Sequence, residues 1–360
     1  MTDCQNTALP NEYESLMREL HCRAGVKRQS VNGIFELTER CNLACRMCFI
    51  CQKTENVLQR KRELTAKSWL ELTRQANDNG MVFLLLTGGE IFLRSDFFDL
   101  YRPLTRLGLI ITLFTNGTLI TDSVASRLAD FPPSQVEITL YGATAFTYQD
   151  ITNVPGSYAR CCSGIEALLK HNIPLRLKST ITKQNVRELE AMQKMAKNWG
   201  LSFSAGFQLI KRRDGMSSEV IDCRLSASDC IELEGIDDNS ATDWSKEAIR
   251  KSSLSDNCNF DCSAGHSSFV VSSQGEMNAC IDLPFPAAQP LKVGFKTAWE
   301  QVQHFVDSAP SRSPHCIVCD VRTYCERCPG WSQLETGTLT DPVPYLCEIA
   351  KERKMRYASK

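Results

Sequence analysis

The sequence predicts an α/β fold, a parallel sheet covered by helices, followed by a small cysteine-rich region. Three observations carry this. Strand-like apolar runs alternate with helical patterns over residues 33–208. Those runs are almost continuously apolar, as strands buried on both faces are. And the 18 cysteines are uneven, four within 41–51 and eight from 258 to 347.

In chain order, the strand patterns fall at 33–38, 82–86, 109–115, 136–140, 175–181 and 201–208, and the helical ones at 66–79, 97–107, 122–129, 158–171 and 186–199. Asn79-Gly80 and Gly108 suit helix C-termini, and Asp122 and Asn185 suit N-caps. A further helix is expected over 12–22. Six strands give either an open doubly wound sheet or a partial (β/α)6 barrel of the TIM type. In both, reactive residues belong at the carboxyl ends of strands. The expected division is a helical segment 1–32, an α/β core 33–210, a bridge 211–257, a cysteine-rich domain 258–347 and a tail 348–360. The domain from 258 is rich in turns and Pro, so metal clusters rather than core burial are expected to hold it together.

Composition excludes several functions. With 41 Lys+Arg against 42 Asp+Glu the formal charge is -1, which lacks the basic excess of a nucleic-acid binder. The longest apolar stretch, 81–86, is far below the about 20 residues of a membrane span, and nothing near the N-terminus reads as an export signal. A cytoplasmic protein is expected, with neither nucleic acid nor membrane as partner. No dinucleotide-binding or P-loop glycine motif is present. In a reducing compartment, clustered thiols read as metal ligands or redox groups. Only 5 histidines are available, which favours all-thiolate centres, Fe–S or Cys4 zinc.

Cys41, Cys45 and Cys48 form C-x3-C-x2-C directly after the first strand. Three thiolates leave one iron of a [4Fe–4S] cube open. Cys45, Cys48 and Cys51 also spell the opening of a ferredoxin run, but residues 53–59 contain neither the Cys nor the Pro that would complete it. The second strand ends in Gly88-Gly89-Glu90. Together these motifs resemble the radical SAM superfamily, in which three cysteines bind the cluster and S-adenosylmethionine chelates its fourth iron. The resemblance implies Cys41, Cys45 and Cys48 as ligands, and Gly88, Gly89 and Glu90 as the loop receiving the methionine amino group. Met47 stands where the family often has an aromatic residue near adenine, with Phe49 beside it. Thr139, Ser179 and Asn185 are candidate ribose contacts.

Further on, Cys262-x17-Cys280, Cys316-x2-Cys319-x5-Cys325-x2-Cys328 and Cys347 look like the SPASM extension of this superfamily. That likeness implies two auxiliary [4Fe–4S] clusters, the first on Cys258, Cys262, Cys280 and Cys328, the second on Cys316, Cys319, Cys325 and Cys347. A zinc ribbon is the competing reading, disfavoured by the five-residue middle gap and the further cysteines.

The family's chemistry is reductive cleavage of the sulfonium to a 5′-deoxyadenosyl radical, which abstracts hydrogen from a C–H bond. The relatives imply a peptide substrate, crosslinked or given a thioether, with an external donor such as flavodoxin or ferredoxin. Only about 32 residues precede the first strand, so recognition of a leader is expected to need a separate leader-binding protein or a different surface of this chain. One alternative is a formylglycine-forming sulfatase maturase, for which Asp282 would be the base. Another is an electron carrier or Cys4 zinc module without radical chemistry.

Overall fold

Residues 19–20, 23–50, 52–54, 56–216, 219–235, 240–252 and 259–358 are described by the computed structural model. Cys51, Cys258 and most of the helix expected over 12–22 lie outside them.

One eight-stranded sheet organises the chain. Its strands are β1 (Asn32–Thr38), β4 (Phe83–Gly88), β5 (Ile110–Thr115), β6 (Gln135–Thr139), β7 (Leu175–Thr180), β8 (Phe203–Gly206), β9 (Ser268–Val271) and β10 (Met277–Asn278). The order is β10-β9-β1-β4-β5-β6-β7-β8. From β1 to β8 every pair is parallel and the strands follow one another in chain order. A doubly wound sheet reverses its order at a switch point; between β1 and β8 this one does not, and only the later β9 and β10 add on the other side of β1. The partial six-stranded barrel is therefore the architecture, with the strands' carboxyl ends on one rim.

Alternation sets which side chains face the helices and which face the lumen of the partial barrel. In β7, Leu175, Leu177 and Ser179 are buried toward the helices, while Arg176, Lys178 and Thr180 take the other face and are only half-buried. The same parity puts Glu137 and Thr139 of β6, and Thr112 and Phe114 of β5, on the lumen side. The outward apolar residues meet Trp69, Leu72, Tyr101, Leu128, Ile165 and Leu168 from the covering helices. Those helices are Ala66–Asp78, Phe97–Leu104, Asp122–Ala129, Ser157–Lys170 and Leu189–Asn198. Thr65 caps the first by accepting from the Ser68 N–H, and Thr121 caps the third through the Val124 N–H. One helix, Ala145–Thr152, was not legible in the periodicity, because its four aromatic or β-branched side chains from Phe146 to Ile151 blur the apolar stripe.

The carboxyl-terminal region departs from expectation. β9 pairs in parallel with β1, Asn32 opposite Ser268 and Phe35 opposite Val271. The helix Phe295–Asp307 buries Phe295, Ala298, Trp299, Val302 and Val306 in the same core as Phe35. Residues 268–306 are thus held by ordinary burial, since that helix carries a regular i, i+3, i+4 stripe. Past it the core thins. A small cluster of Trp331, Val343 and Leu346 serves the segment that carries Cys316, Cys319, Cys325 and Cys328.

Candidate active site

The first three cysteines lie on a loop clamped at both ends. Short strands β2 (Arg40–Cys41) and β3 (Gln52–Lys53) pair in parallel across it. The Thr54 hydroxyl donates to the Cys41 carbonyl at 2.8 Å. In the middle, the N–H groups of Ala44 and Arg46 donate to the carbonyls of Thr152 and Ile151. Arg46 adds an ion pair with Asp150, and Met47 is buried against Ile151, Leu209 and Val220. The loop is thereby fixed to the helix that follows β6.

Against this loop sits the end of β4. The Gly89 N–H donates to the Thr38 carbonyl at 2.7 Å, and the Glu90 N–H to the Arg40 carbonyl at 2.9 Å. A Cβ on Gly88, whose φ is +134°, would lie 2.2 Å from the Thr38 oxygen, and one on Gly89 2.2 Å from that of Arg40. The glycines let two backbones touch, so their necessity lies first in the fold and only then in a ligand.

Glu90 differs from its expected role. It is fully buried, and its carboxylate accepts from the Thr115 hydroxyl, the Asn116 N–H and the Phe92 N–H. Burial pushes its pKa up while those donors pull it down. Its oxygens hold the end of β5 and do not line the cavity beside it. Two other expected contacts also face away from that cavity. Ser179 has the parity of Leu177 and meets the Met192 sulfur. Asn185 is fully buried, tying the Thr182 N–H to the carbonyls of Tyr141 and Thr180.

What the rim does enclose is a cavity of about 380 Å³, within the ~300–1,000 Å³ range of small-molecule sites. Cys41, Cys45, Cys48, Met47, Phe49, Gly88, Gly89 and Thr139, all candidates from the sequence, line it. Tyr141, Lys178, Thr180, Gln208 and Trp331 also line it and were missed, although the parity of β7 marks Lys178 and Thr180. Ile281 and Asp282 enter from the carboxyl-terminal region. Asp282 has its pKa pushed up to about 6 by burial, opposed by Arg213 and reinforced by Glu36.

The later cysteines fall into two groups. Cys280 and Cys328 each feel the charge of Cys262, and the Asp282 N–H donates to the Cys280 sulfur at 3.5 Å. Cys316, Cys319, Cys325 and Cys347 line a small separate pocket with Lys251, Arg312 and Arg327. These groupings coincide with the two ligand sets implied by the resemblance, Cys258 apart.

The thiol chemistry fits metal–sulfur centres. Burial and then the neighbouring thiols hold Cys45 well above the usual range, and Cys325 is pushed up to about 11 by burial and then by Cys347. Such groups ionise only beside a strong cation. Cys41 accepts from the Leu43 N–H at 3.4 Å and from the Asn116 amide at 3.6 Å, the donor pattern that tunes cluster sulfurs. Among the described residues no three His, Cys, Asp or Glu side chains converge on a single-ion site.

A parallel partial barrel with a three-cysteine loop on its rim defines a class, and comparison with known proteins names it. Residues 35–197 match the Radical SAM superfamily. Those residues therefore form a radical SAM domain, the domain of a superfamily of enzymes that use a [4Fe–4S] cluster and S-adenosylmethionine. The chain is 26% identical over 342 residues to the AdoMet-dependent heme synthase of Methanosarcina barkeri (strain Fusaro / DSM 804), covering 86% of this chain and 94% of the relative. It is 24% identical to the antilisterial bacteriocin subtilosin biosynthesis protein AlbA of Bacillus subtilis (strain 168), over 83% of this chain and 67% of AlbA. Among solved structures it shares the fold of Streptococcus suis SuiB bound to S-adenosylmethionine, with a TM-score of 0.68 at 18% identity, over 93% of this chain and 83% of SuiB. Among the described residues no helix is long and apolar enough to cross a membrane.

Proposed function

We propose that this enzyme modifies a ribosomally made peptide, forming a crosslink or thioether. In this reading Cys41, Cys45 and Cys48 hold the cluster that binds S-adenosylmethionine. Gly88 and Gly89 floor the methionine end, and Met47, Phe49 and Thr139 border the adenosyl end. Cys262, Cys280 and Cys328, with Cys258, hold one auxiliary cluster; Cys316, Cys319, Cys325 and Cys347 hold the other. When bound, cluster and cofactor supply a 5′-deoxyadenosyl radical able to take hydrogen from a C–H bond. The chain's own residues orient the substrate and keep water from the radical. An external one-electron donor completes the scheme.

The observation that carries the reading is the shared cavity. Cys41, Cys45 and Cys48 line it from the barrel rim, and Ile281, Asp282 and Trp331 line it from the region bearing the later cysteines. A substrate there meets both. SuiB, of like fold, has also been solved with its precursor peptide SuiA. The heme synthase similarity supports a second reading, a tetrapyrrole substrate. Cavity size favours the peptide, because about 380 Å³ is near the lower end of ~300–1,000 Å³ and must take the cofactor as well. One inserted peptide side chain needs far less room than a macrocycle.

The test is anaerobic reconstitution, iron counting and dithionite reduction with S-adenosylmethionine. About twelve irons per chain, by four per cube, and release of 5′-deoxyadenosine are expected. Cys48→Ala should release none yet keep most of its iron. Incubation with peptides encoded near the gene, and separately with iron-coproporphyrin, then separates the readings by mass shift. A product from the porphyrin alone would overturn the peptide assignment.

A further inference from the structure

The geometry points to a carboxylate-binding subsite on the lumen face of β7, formed by Lys178 and Arg176, which takes an acidic side chain or the carboxyl terminus of the substrate. This rests on the peptide reading and specifies what part of the peptide enters the barrel.

Four observations carry it. First, Arg176, Lys178 and Thr180 share one face of β7, and Lys178 and Thr180 line the cavity, so Arg176 stands one step deeper along the same wall. Second, the charge there is unbalanced. Glu137 is the carboxylate that pairs with Lys178, at 3.3 Å. Glu137 lies directly opposite Arg176 in the strand register, yet the Arg176 Nε is buried and has no hydrogen-bond partner. On this wall two cations face one acid, while Asp282 lines the same cavity from the carboxyl-terminal region. A buried guanidinium N–H without an acceptor forgoes a strong charge-assisted bond, and a carboxylate supplies that acceptor.

Third, the ammonium is turned inward. Lys178 Nζ lies over the Phe114 ring, 2.8 Å from its centroid, and Phe114 lines the cavity. A long side chain free to reach water normally does so; this one is kept at the site by its ring and its acid. Burial, with Arg176 adding to it, draws the Lys178 pKa down to about 8 against the pull of Glu137. Bound anionic charge relieves that situation. Fourth, this wall stands three strands from β4, whose Gly88 and Gly89 floor the opposite side. A substrate anion on β7 therefore leaves the methionine end of the cofactor its own wall.

The experiment is selection of a degenerate, end-blocked hexapeptide library on reconstituted holoenzyme loaded with S-adenosylmethionine, compared with Lys178→Met, Lys178→Arg and Arg176→Gln. Wild type should enrich Asp or Glu at one position. Lys178→Met should bind the selected peptide about tenfold more weakly, as loss of a charged hydrogen bond predicts, and Lys178→Arg should recover much of it. Replacing the selected acid by its amide should cost wild type that same factor and Lys178→Met little. The dissociation constant for S-adenosylmethionine is measured in parallel. Enrichment without acidic residues, or equal enrichment on the variants, overturns the subsite while the peptide reading stands. A loss of cofactor affinity in Lys178→Met matching its loss of peptide also overturns it, since the ammonium then serves the cofactor's carboxylate. If no peptide is enriched on any protein, the peptide reading falls and the subsite with it.

Discussion

Glu90 accepts from three directions at once. Thr115 offers a hydroxyl to both oxygens at 2.8 and 2.9 Å, and Asn116 and Phe92 offer backbone N–H groups at 2.8 and 3.1 Å. Glutamine keeps the size but presents an NH2 to one of those N–H groups, leaving a buried donor unmatched. Glu90→Gln should therefore lose about 1–3 kcal/mol of stability in denaturant unfolding. It should also weaken S-adenosylmethionine binding in equilibrium dialysis, because Asn116 lines the cavity. Unchanged unfolding would mean that the carboxylate is not the anchor described. Lys178 gives a second expectation, in pH. Its folded pKa, about 8, lies below its ordinary value of 10.5. Between those values the unfolded chain holds a proton that the folded chain lacks, so stability rises with pH through this window. The stability difference between wild type and Lys178→Met should grow from about pH 8 upward in favour of wild type. A difference that is flat or falls over that range would remove the buried ammonium from the account.

Strands and loops add constraints that no residue shows alone. The end of β4 and the β1–β2 connection touch backbone to backbone, which makes Gly89 a spacer for the cysteine loop. A methyl group on Gly89 must displace Arg40, the residue before Cys41. Gly89→Ala should cost about 1–3 kcal/mol, as overpacking does, and purify with about four fewer irons per chain. Gly25→Ala, where a Cβ meets nothing within 4 Å, should match wild type in both. Element by element, legibility in the sequence followed physics. The six strands, their helices and the C-x3-C-x2-C loop announced themselves by apolar runs, caps and thiol spacing. Of the candidate ribose contacts Thr139 lines the cavity, whereas Ser179 does not and its neighbours Lys178 and Thr180 do. Leu175 and Leu177 already marked the odd-numbered face of β7 as outward. Glu90 could not be read, since its partners on β5 are neighbours only in the folded barrel. The helix Phe295–Asp307 was passed over because turns and cysteines around it masked a regular apolar stripe.

Across the whole molecule, two modes of cohesion meet along one surface. The barrel, with β9 and the helix Phe295–Asp307, forms one continuous apolar core. Beyond that helix, residues 314–347 touch this core only through the partly buried Tyr324, Leu339 and Tyr345, and otherwise have the small cluster of Trp331, Val343 and Leu346 and the pocket of Cys316, Cys319, Cys325 and Cys347. Arg213 spans the join. Its N–H donates to the Phe49 carbonyl at 3.1 Å, and its guanidinium donates to Glu36 at 2.9 Å and to the Ile281 carbonyl at 2.8 Å. It therefore links the first cysteine loop, the barrel wall and the residue after Cys280. Stripping iron by chelation should not unfold such a protein uniformly. Metal binding energy becomes folding energy where little else orders the chain, and local opening follows local contact density. Hydrogen exchange followed by mass spectrometry on loaded and stripped protein should show protection falling about tenfold or more over 314–347. Strands β4 to β7 should change little, because their order comes from apolar burial. The loop 41–50 should fall between these extremes, being pinned by Thr152, Ile151 and Arg213 even without its metal. Uniform loss of protection would mean that the clusters hold the barrel as well. No loss in 314–347 would mean that its thiols are not structural ligands, and the pocket around Cys325 would then need another explanation.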